Sequence, residues 1–235
     1  LYYVKKVDFG VYLAEDMGGE THVLLPSKQV PEDAKPGEKI RVFLYKDSKD
    51  RLIATTNTPK LTLGEYAPLV VKEVGKIGAF LDWGLRKDLL VPFREQRERM
   101  KEGNTYLVYA YVDEESDRIA ATAKIEKYLD RTPAAYEVGQ EVDLLIARPS
   151  DLGYSVIVNN AHWGLIYRNE IFQPVRVGQK VKGYIKEMRP DGKIDVSLQR
   201  AGYGQSDELT AKILEKIKDN GGVLDVFGKR APGNN

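Results

Sequence analysis

Few side chains in this sequence have the types and spacing that catalysis requires. The 235-residue chain has no cysteine and two histidines, His22 and His162, each of which we interpret as an ordinary strand or turn residue. The acidic cluster 113–117 is more typical of a solvated hairpin turn than of a cation site. The sequence contains no phosphate loop, histidine pair or carboxylate cluster at adjacent strand ends, which argues against a nuclease. We therefore expect no metal, no cofactor and no catalysis.

Composition indicates a globular protein with real cores. Hydrophobic residues make up 42% of the chain and charged residues 30%. The absence of cysteine fits a reducing cytosol, and no apolar segment approaches membrane-spanning length. We expect a cytoplasmic protein without membrane contact. The net charge is +1, so any binding of nucleic acid must depend on local patches and not on a global field.

An internal repeat organises the chain, because four markers recur three times in the same order. A glycine inside an alternating segment comes first, an apolar strand second, a glycine before another strand third, and a strand after a charged turn fourth. The first glycines are Gly10, Gly78 and Gly153, and the apolar strands end at Pro26, Pro92 and Tyr167. The later glycines are Gly37, Gly103 and Gly178, and the last strands follow Asp50, Asp117 and Asp191.

Each repeat reads as five strands, and five strands in about 60–70 residues suit the OB-fold, a small Greek-key barrel. The sequence thus predicts a mainly β protein built as a tandem array of three five-stranded OB-fold barrels, at 1–62, 63–132 and 133–203. Gly78 is expected to mark a bulge or a sharp bend. Lys124–Asp130 is expected to form about two helical turns. Residues from Ser206 to Gly222 form an amphipathic helical pattern. Trp83 and Trp163 are expected in the cores.

The repeat markers resemble the S1 RNA-binding repeat of the largest small-subunit ribosomal protein. The match is carried in the third repeat by 177–181 and 193–198, and in the second repeat by 78–81 and 87–92. The whole arrangement is similar to the bacterial family called conserved virulence factor B. That resemblance implies three S1-type barrels followed by a small winged-helix domain, of which 204–235 would be a truncated or divergent beginning.

The resemblance also implies which side chains bind RNA. On such a barrel, aromatic rings on strands two and three stack bases, and basic side chains hold phosphates. The implied stacking residues are Phe9, Tyr12, Phe80 and Tyr167. The implied basic residues after strand three are Lys28, Arg94 and Arg168, and those that open strand five are Arg51, Arg118 and Lys193. Ser155 replaces the stacking aromatic of the third repeat, so unequal binding by the barrels is expected.

Two functions remain open at this point. The first is a non-catalytic protein that holds single-stranded RNA on its barrels and regulates bacterial gene expression, including virulence factors, after transcription. The second is a protein-interaction scaffold that docks on the ribosome or on RNA polymerase. The near-neutral charge and Ser155 favour the scaffold. The oligomeric state is not indicated by the sequence.

Overall fold

A computed structural model describes residues 1–171 and 173–200 of the chain. Within these residues the backbone forms fifteen strands in three five-stranded sheets, so the mainly β prediction is confirmed. The chain divides into two compact units, of which Leu1–Arg131 contains the first two sheets and the unit that begins at Thr132 contains the third. The predicted helix after Ser206 and the winged-helix-like segment 204–235 lie outside the described residues.

The three sheets follow one another along the chain. The first contains β1 (Tyr2–Val7), β2 (Gly10–Ala14), β3 (Val23–Pro26), β4 (Phe43–Lys46) and β5 (Leu52–Thr55). The second contains β6 (Tyr66–Val74), β7 (Gly78–Asp82), β8 (Leu89–Pro92), β9 (Thr105–Asp113) and β10 (Arg118–Thr122). The third contains β11 (Glu141–Ser150), β12 (Gly153–Val158), β13 (His162–Tyr167), β14 (Lys180–Met188) and β15 (Ile194–Ser197).

One circuit of strands underlies all three sheets. In the third sheet the order β11-β12-β13-β15-β14 closes into a barrel, with β13 and β15 parallel and the other pairs antiparallel. The first sheet has the corresponding order β1-β2-β3-β5-β4, and a single bridge between Tyr2 and Lys39 spans its open edge. The second sheet pairs β6 with β9 and is open between β8 and β10, which are in contact without a ladder in the described chain. This order is that of an OB-type barrel.

Alternation of apolar side chains explains why these segments are strands with one buried face. In β3, β8 and β13 every second residue is buried and the residues between are half-buried. The buried residues form one core for each sheet, centred on Leu13 and Leu25 in the first, Leu81 and Val91 in the second, and residues including Ile166 in the third. The half-buried residues between them lie on the opposite face of each sheet.

The three glycines that precede the fourth strand fasten it to the first strand. Gly37, Gly103 and Gly178 have φ of +92°, +78° and +84°, a turn conformation that glycine adopts without strain. Their N–H groups donate to the carbonyls of Tyr3, Val71 and Ile146 at 2.8, 2.9 and 2.7 Å. The N–H groups of those same three residues donate back to the residue after each glycine at 2.8–2.9 Å. In each sheet the first strand has a register shift directly after this pair of bonds.

The glycine that opens the second strand of each sheet touches the third strand. A Cβ at Gly10, Gly78 or Gly153 would lie 2.1, 2.2 or 2.0 Å from a carbonyl oxygen of the neighbouring strand. Of the two alternatives expected at Gly78, a bulge or a sharp bend, the bulge is wrong, because β7 and β8 pair in continuous register and the shift lies in β6, between Val71 and Glu73. The glycine is required by close approach of two backbones.

The connections pack against the second sheet and are less helical than predicted. Leu61, before the second sheet, is buried in the core of that sheet, and the N–H of Lys60 donates to the Trp83 carbonyl at 2.8 Å. The segment Lys124–Asp130 forms a single 3₁₀ turn, Ile125–Tyr128, instead of two α-helical turns. Burial of Ile125 and stacking of Tyr128 on Tyr109, with ring centroids 4.0 Å apart, fix this turn against the sheet.

The Gly78→Ala substitution should destabilise the second sheet by about 2–3 kcal/mol, because the new methyl group overlaps a backbone carbonyl that cannot move aside. Urea unfolding followed by the fluorescence of Trp83, in a Trp163→Phe background, measures the effect. The matched control is Gly18→Ala, since a Cβ at Gly18 meets nothing closer than 4.0 Å. Equal unfolding midpoints for the two variants would contradict the close-approach explanation.

Candidate functional site

A groove of about 260 Å³ lies in the first unit, on the outer face of the second sheet. Phe80 on β7 and its cross-strand neighbour Leu90 on β8 form part of its floor. Both side chains lie between buried residues of their strands and therefore point away from the core. The apolar lining residues include Ile77, Phe80, Trp83, Leu90, Pro92, Ile119 and Ala120. Such a floor is a suitable surface for a flat, unsaturated ring.

The Phe80 ring lies across the hairpin that joins β6 to β7. A Cβ added to Gly75 would lie 2.9 Å from the edge of this ring, so the glycine leaves the space that the ring occupies. The local sequence thus provides both the ring and the room for it.

The first sheet supplies the other wall of the groove. Tyr45 and Lys46 of β4 line it, and Phe43 of the same strand meets Trp83 edge to face, with ring centroids 5.7 Å apart. Trp83 is 3% exposed, and its indole N–H donates to the carbonyl of Lys87 at 2.5 Å. The expectation that Trp83 is a core residue is confirmed. The groove is therefore a composite of two sheets within one compact unit.

Three cations stand at the groove, and acidic side chains neutralise two of them. Lys46 bonds Asp117 at 2.5 Å, and Arg118 bonds Asp50 at 2.5 Å. Burial, and then the nearby Arg118, lowers the pKa of Lys87. The groove thus joins an apolar floor to a rim with both signs of charge.

Two carboxylates line the same groove. Asp88 accepts a hydrogen bond from Lys72 at 2.8 Å. Asp113 accepts from Ser116 and from Arg94, and its hydrogen bond with Ser116 is the largest of the effects that lower its pKa. Because both groups present acceptor oxygens, the groove interior is a poor place for a phosphate and a better one for an uncharged ring with donor groups.

Of the residues implied by the resemblance, the structure brings Phe80 and Arg118 together in the groove. Arg94 is adjacent, since it donates to Asp113 at 3.0 Å and to Glu115 at 3.2 Å. Arg51 belongs to the β4–β5 turn and is held by Asp47, to which its Nε and Nη2 donate at 3.0 and 2.8 Å.

The other implied residues of the first sheet lie outside the groove lining. Phe9 is 57% exposed in the turn before β2, and Tyr12 on β2 pairs with Leu24. Lys28 is exposed in the 3₁₀ turn after β3. His22 packs its ring edgewise near Tyr12, with centroids 6.0 Å apart. This face has the same residue pattern as the outer face of the second sheet. Within the described residues, however, no neighbouring sheet forms a wall beside it.

The third sheet places its implied residues differently. Tyr167 ends β13 opposite Gly153, as Pro92 does opposite Gly78. The residue equivalent to Lys28 and Arg94 is therefore Asn169, and the expectation that Arg168 shares their position is wrong by one residue. Arg168 is the first residue of its 3₁₀ turn, whereas Lys28 and Arg94 are each the second residue of theirs.

The outer face of the third sheet is also less suited to stacking. Lys193 forms an ion pair with Asp191 at 2.9 Å. Ser155 and Leu165 pair across β12 and β13, and Asp195 of β15 lies next to Leu165. Asp195 is 5% exposed and bonds Arg189 at 3.3 Å, with its Oδ1 unpartnered among the described residues. This aspartate occupies the place of Ala120 in the second sheet, and the repeat markers do not predict a role for it.

The buried histidine of the third sheet has a structural role. The Nε2 of His162 lies 2.8 Å from the carbonyl oxygen of Thr132, and its Nδ1 lies 2.8 Å from the Tyr136 hydroxyl. Because a carbonyl can only accept, Nε2 donates to Thr132, and Nδ1 forms the second hydrogen bond with the tyrosine hydroxyl. Trp163 is half-buried beneath Arg148 rather than fully within the core.

Within the described residues, no group of three or more His, Cys, Asp or Glu side chains is arranged to hold a metal ion. The same part of the chain has no helix of the length and apolarity that crossing a membrane requires.

Comparison with known proteins identifies domains and relatives. Residues 3–57 and 63–124 match the S1 domain family. The uncharacterized protein YitL of Bacillus subtilis is 28% identical over 97% of this chain and 78% of its own length. Conserved virulence factor B of Staphylococcus haemolyticus is 26% identical over 94% of this chain and 77% of its own. A crystal structure of a multidomain protein with nucleic acid binding domains from Streptococcus pneumoniae is 22% identical, covers 98% of this chain and 83% of that one, and has a TM-score of 0.45.

The hydrogen bonds from Arg51 lower the pKa of Asp47 from 3.8 to about 2. Since the folded-state pKa is depressed, the stabilisation by this pair is present above about pH 4 and is lost as the pH falls through 2. Carbon-13 NMR titration of the Asp47 carboxyl should give this low pKa, and Arg51→Gln should raise it toward 3.8. Arg118→Gln is the control and should leave Asp47 unchanged. A wild-type pKa near 3.8 would show that Arg51 is available to other partners.

Proposed function

The chain is a homologue of the proteins named conserved virulence factor B and contains S1 domains, and on this premise we propose that it binds single-stranded RNA. The observation that carries the proposal is the composite groove, in which Phe80 lies on an apolar floor beside Lys46, Lys87 and Arg118. An unpaired base stacks on Phe80, and the cations at the rim face the RNA backbone.

The proposed activity is binding without catalysis. The groove offers a stacking surface and charged side chains, and the His162 imidazole is committed to contacts with Thr132 and Tyr136. Since relatives are named as virulence factors, we propose that the bound RNA is bacterial and that its expression is regulated after transcription.

The third sheet is proposed as a third S1-type unit, over about residues 133–203. Its strand order and the paired hydrogen bonds at Gly178 are those of the first two sheets. Its outer face carries Ser155 and Asp195 where the second sheet has Phe80 and Ala120. Without an aromatic ring at position 155 this face offers no equivalent stacking surface, so this unit contributes less to binding than the second sheet does.

That same face favours a second candidate function, a protein-interaction scaffold on the ribosome or the transcription machinery. On this face Leu165 lies between polar residues, and position 155 carries a serine instead of an aromatic ring. Such a face is better suited to contact with another protein than to stacking of a base. A partner that remains bound to the chain after nuclease treatment, and that is lost in a variant of the half-buried Leu165, Leu165→Ala, would support the scaffold.

The wild-type chain should bind a labelled single-stranded RNA of about 10–15 nucleotides more tightly than DNA of the same sequence, and less tightly as salt is raised. Fluorescence anisotropy at two salt concentrations measures this. Absence of RNA binding by a folded sample would contradict the proposed function.

The Phe80→Ala substitution should weaken RNA binding about tenfold, since the stacking of one base on an aromatic ring contributes about 1–3 kcal/mol. The control is Tyr184→Ala, which removes a half-buried aromatic ring from a strand of the third sheet. Circular dichroism establishes that both variants are folded. Equal affinity of Phe80→Ala and wild type would exclude this groove as the stacking site.

A further inference from the structure

Two ion pairs cross between the first and second sheets in reciprocal fashion. Lys46, the last residue of β4, bonds Asp117 in the β9–β10 turn. Arg118, the first residue of β10, bonds Asp50 in the β4–β5 turn. The β4–β5 hairpin and the β9–β10 hairpin therefore each contribute one cation and one carboxylate to the two ion pairs. We call these two ion pairs the clasp.

The two partners of each pair differ in exposure. The side chains of Lys46 and Arg118 are 26% and 24% exposed and line the groove. The side chains of Asp117 and Asp50 are 78% and 66% exposed, and neither belongs to the groove lining. The cations are therefore fixed in the wall, whereas the carboxylates cover them from the solvent side.

Exposed carboxylates of this kind are weakly held. An ion pair at a protein surface contributes about 0.2–1 kcal/mol, because water and salt screen it and ordering the side chains costs entropy. A phosphate at the groove mouth would offer the same cations a partner with more acceptor oxygens. Exchange of one anion for the other is thus energetically accessible.

The groove interior directs a phosphate to this place. Asp88 and Asp113 line the groove, and their carboxylates make its floor unfavourable for an anion. Lys46 and Arg118 also line the groove, but they are paired with the exposed carboxylates of Asp117 and Asp50 at its mouth. A base inside the groove and its phosphates outside, at the clasp, satisfy both requirements.

We propose that Lys46 and Arg118 are two phosphate subsites of the groove, and that RNA phosphates displace Asp117 and Asp50 from them. The inference rests on the proposed function and assigns to it a residue of the first sheet, Lys46. RNA binding then opens the ionic link between the two sheets, while the apolar contact of Phe43 with Trp83 remains.

The backbone at the two carboxylates permits a clean test. Asp50 and Asp117 have φ of +59° and +49°, a conformation in which asparagine is among the most readily accommodated residues. Asp50→Asn and Asp117→Asn therefore remove the charges and keep the turns. In the double variant Lys46 and Arg118 have lost their competing anions.

The double variant should bind single-stranded RNA about tenfold more tightly than the wild type, since two exposed ion pairs no longer have to be broken. The matched control is the Glu98→Gln, Glu137→Gln double variant, which makes the same change in net charge at exposed carboxylates that belong neither to the groove lining nor to the clasp. The control should change affinity by less than about twofold, because salt screens exposed charges that are not paired with the groove cations. Anisotropy titrations at constant salt measure both.

A second readout follows the carboxylates directly. Saturating RNA should move the carbon-13 carboxyl resonances of Asp50 and Asp117 in the wild type toward their positions in the RNA-free Lys46→Gln, Arg118→Gln variant. Resonances that stay in place while RNA is bound would show that the ion pairs persist and would overturn the proposal.

The outcomes separate this inference from the proposed function. Wild-type binding with unchanged or weaker binding by Asp50→Asn, Asp117→Asn would overturn the displacement and leave RNA binding intact. An equal gain in the Glu98→Gln, Glu137→Gln control would also overturn it, since net charge alone would explain the effect. Absence of binding by every variant, the wild type included, would overturn the proposed function and this inference with it.

Discussion

The contact between a glycine and the carbonyl of the next strand is the constraint on which the binding face depends. At Gly78 the backbone of β7 comes so close to β8 that no side chain fits between them. Phe80 follows two residues later and therefore stands on the outer face, opposite Leu90. The same contact at Gly10 and Gly153 places Tyr12 and Ser155 at the equivalent points. Backbone packing sets the position, and the residue type there decides whether the face can stack a base.

Much of the fold follows from local sequence signals. Alternation located the strands, and the glycines at 37, 103 and 178 stand in turns of positive φ as the repeat required. The errors concern features without a local signal. The register shift lies on β6 and not at Gly78, because the shift is accommodated by hydrogen bonds to a turn some thirty residues away. The 3₁₀ turn at Ile125–Tyr128 is short because tertiary stacking on Tyr109 fixes it.

The candidate site was only partly accessible to sequence reasoning. Phe80 and Arg118 lie on repeat markers, and the groove contains both. Tyr45 and Lys46 lie on a strand that the repeat defines only loosely, and their role depends on how the first sheet packs against the second. Nothing in the spacing of residues within one domain encodes a wall contributed by its neighbour. Charges behave similarly, since Lys46 pairs with Asp117, 71 residues along the chain, and Arg118 of the second sheet pairs with Asp50 of the first.

The burial of Leu61 has a consequence for how such arrays grow during evolution. The S1 match of the second domain begins at residue 63, yet Leu61 is 1% exposed within the core of that domain. A gene duplication that copied residues 63–124 alone would leave a cavity in place of this leucine, at a cost of about 2–5 kcal/mol. The heritable module therefore includes the preceding connector. Selection on that connector acts through the stability of the domain that follows it, and new arrangements of these domains are expected to retain their upstream linkers.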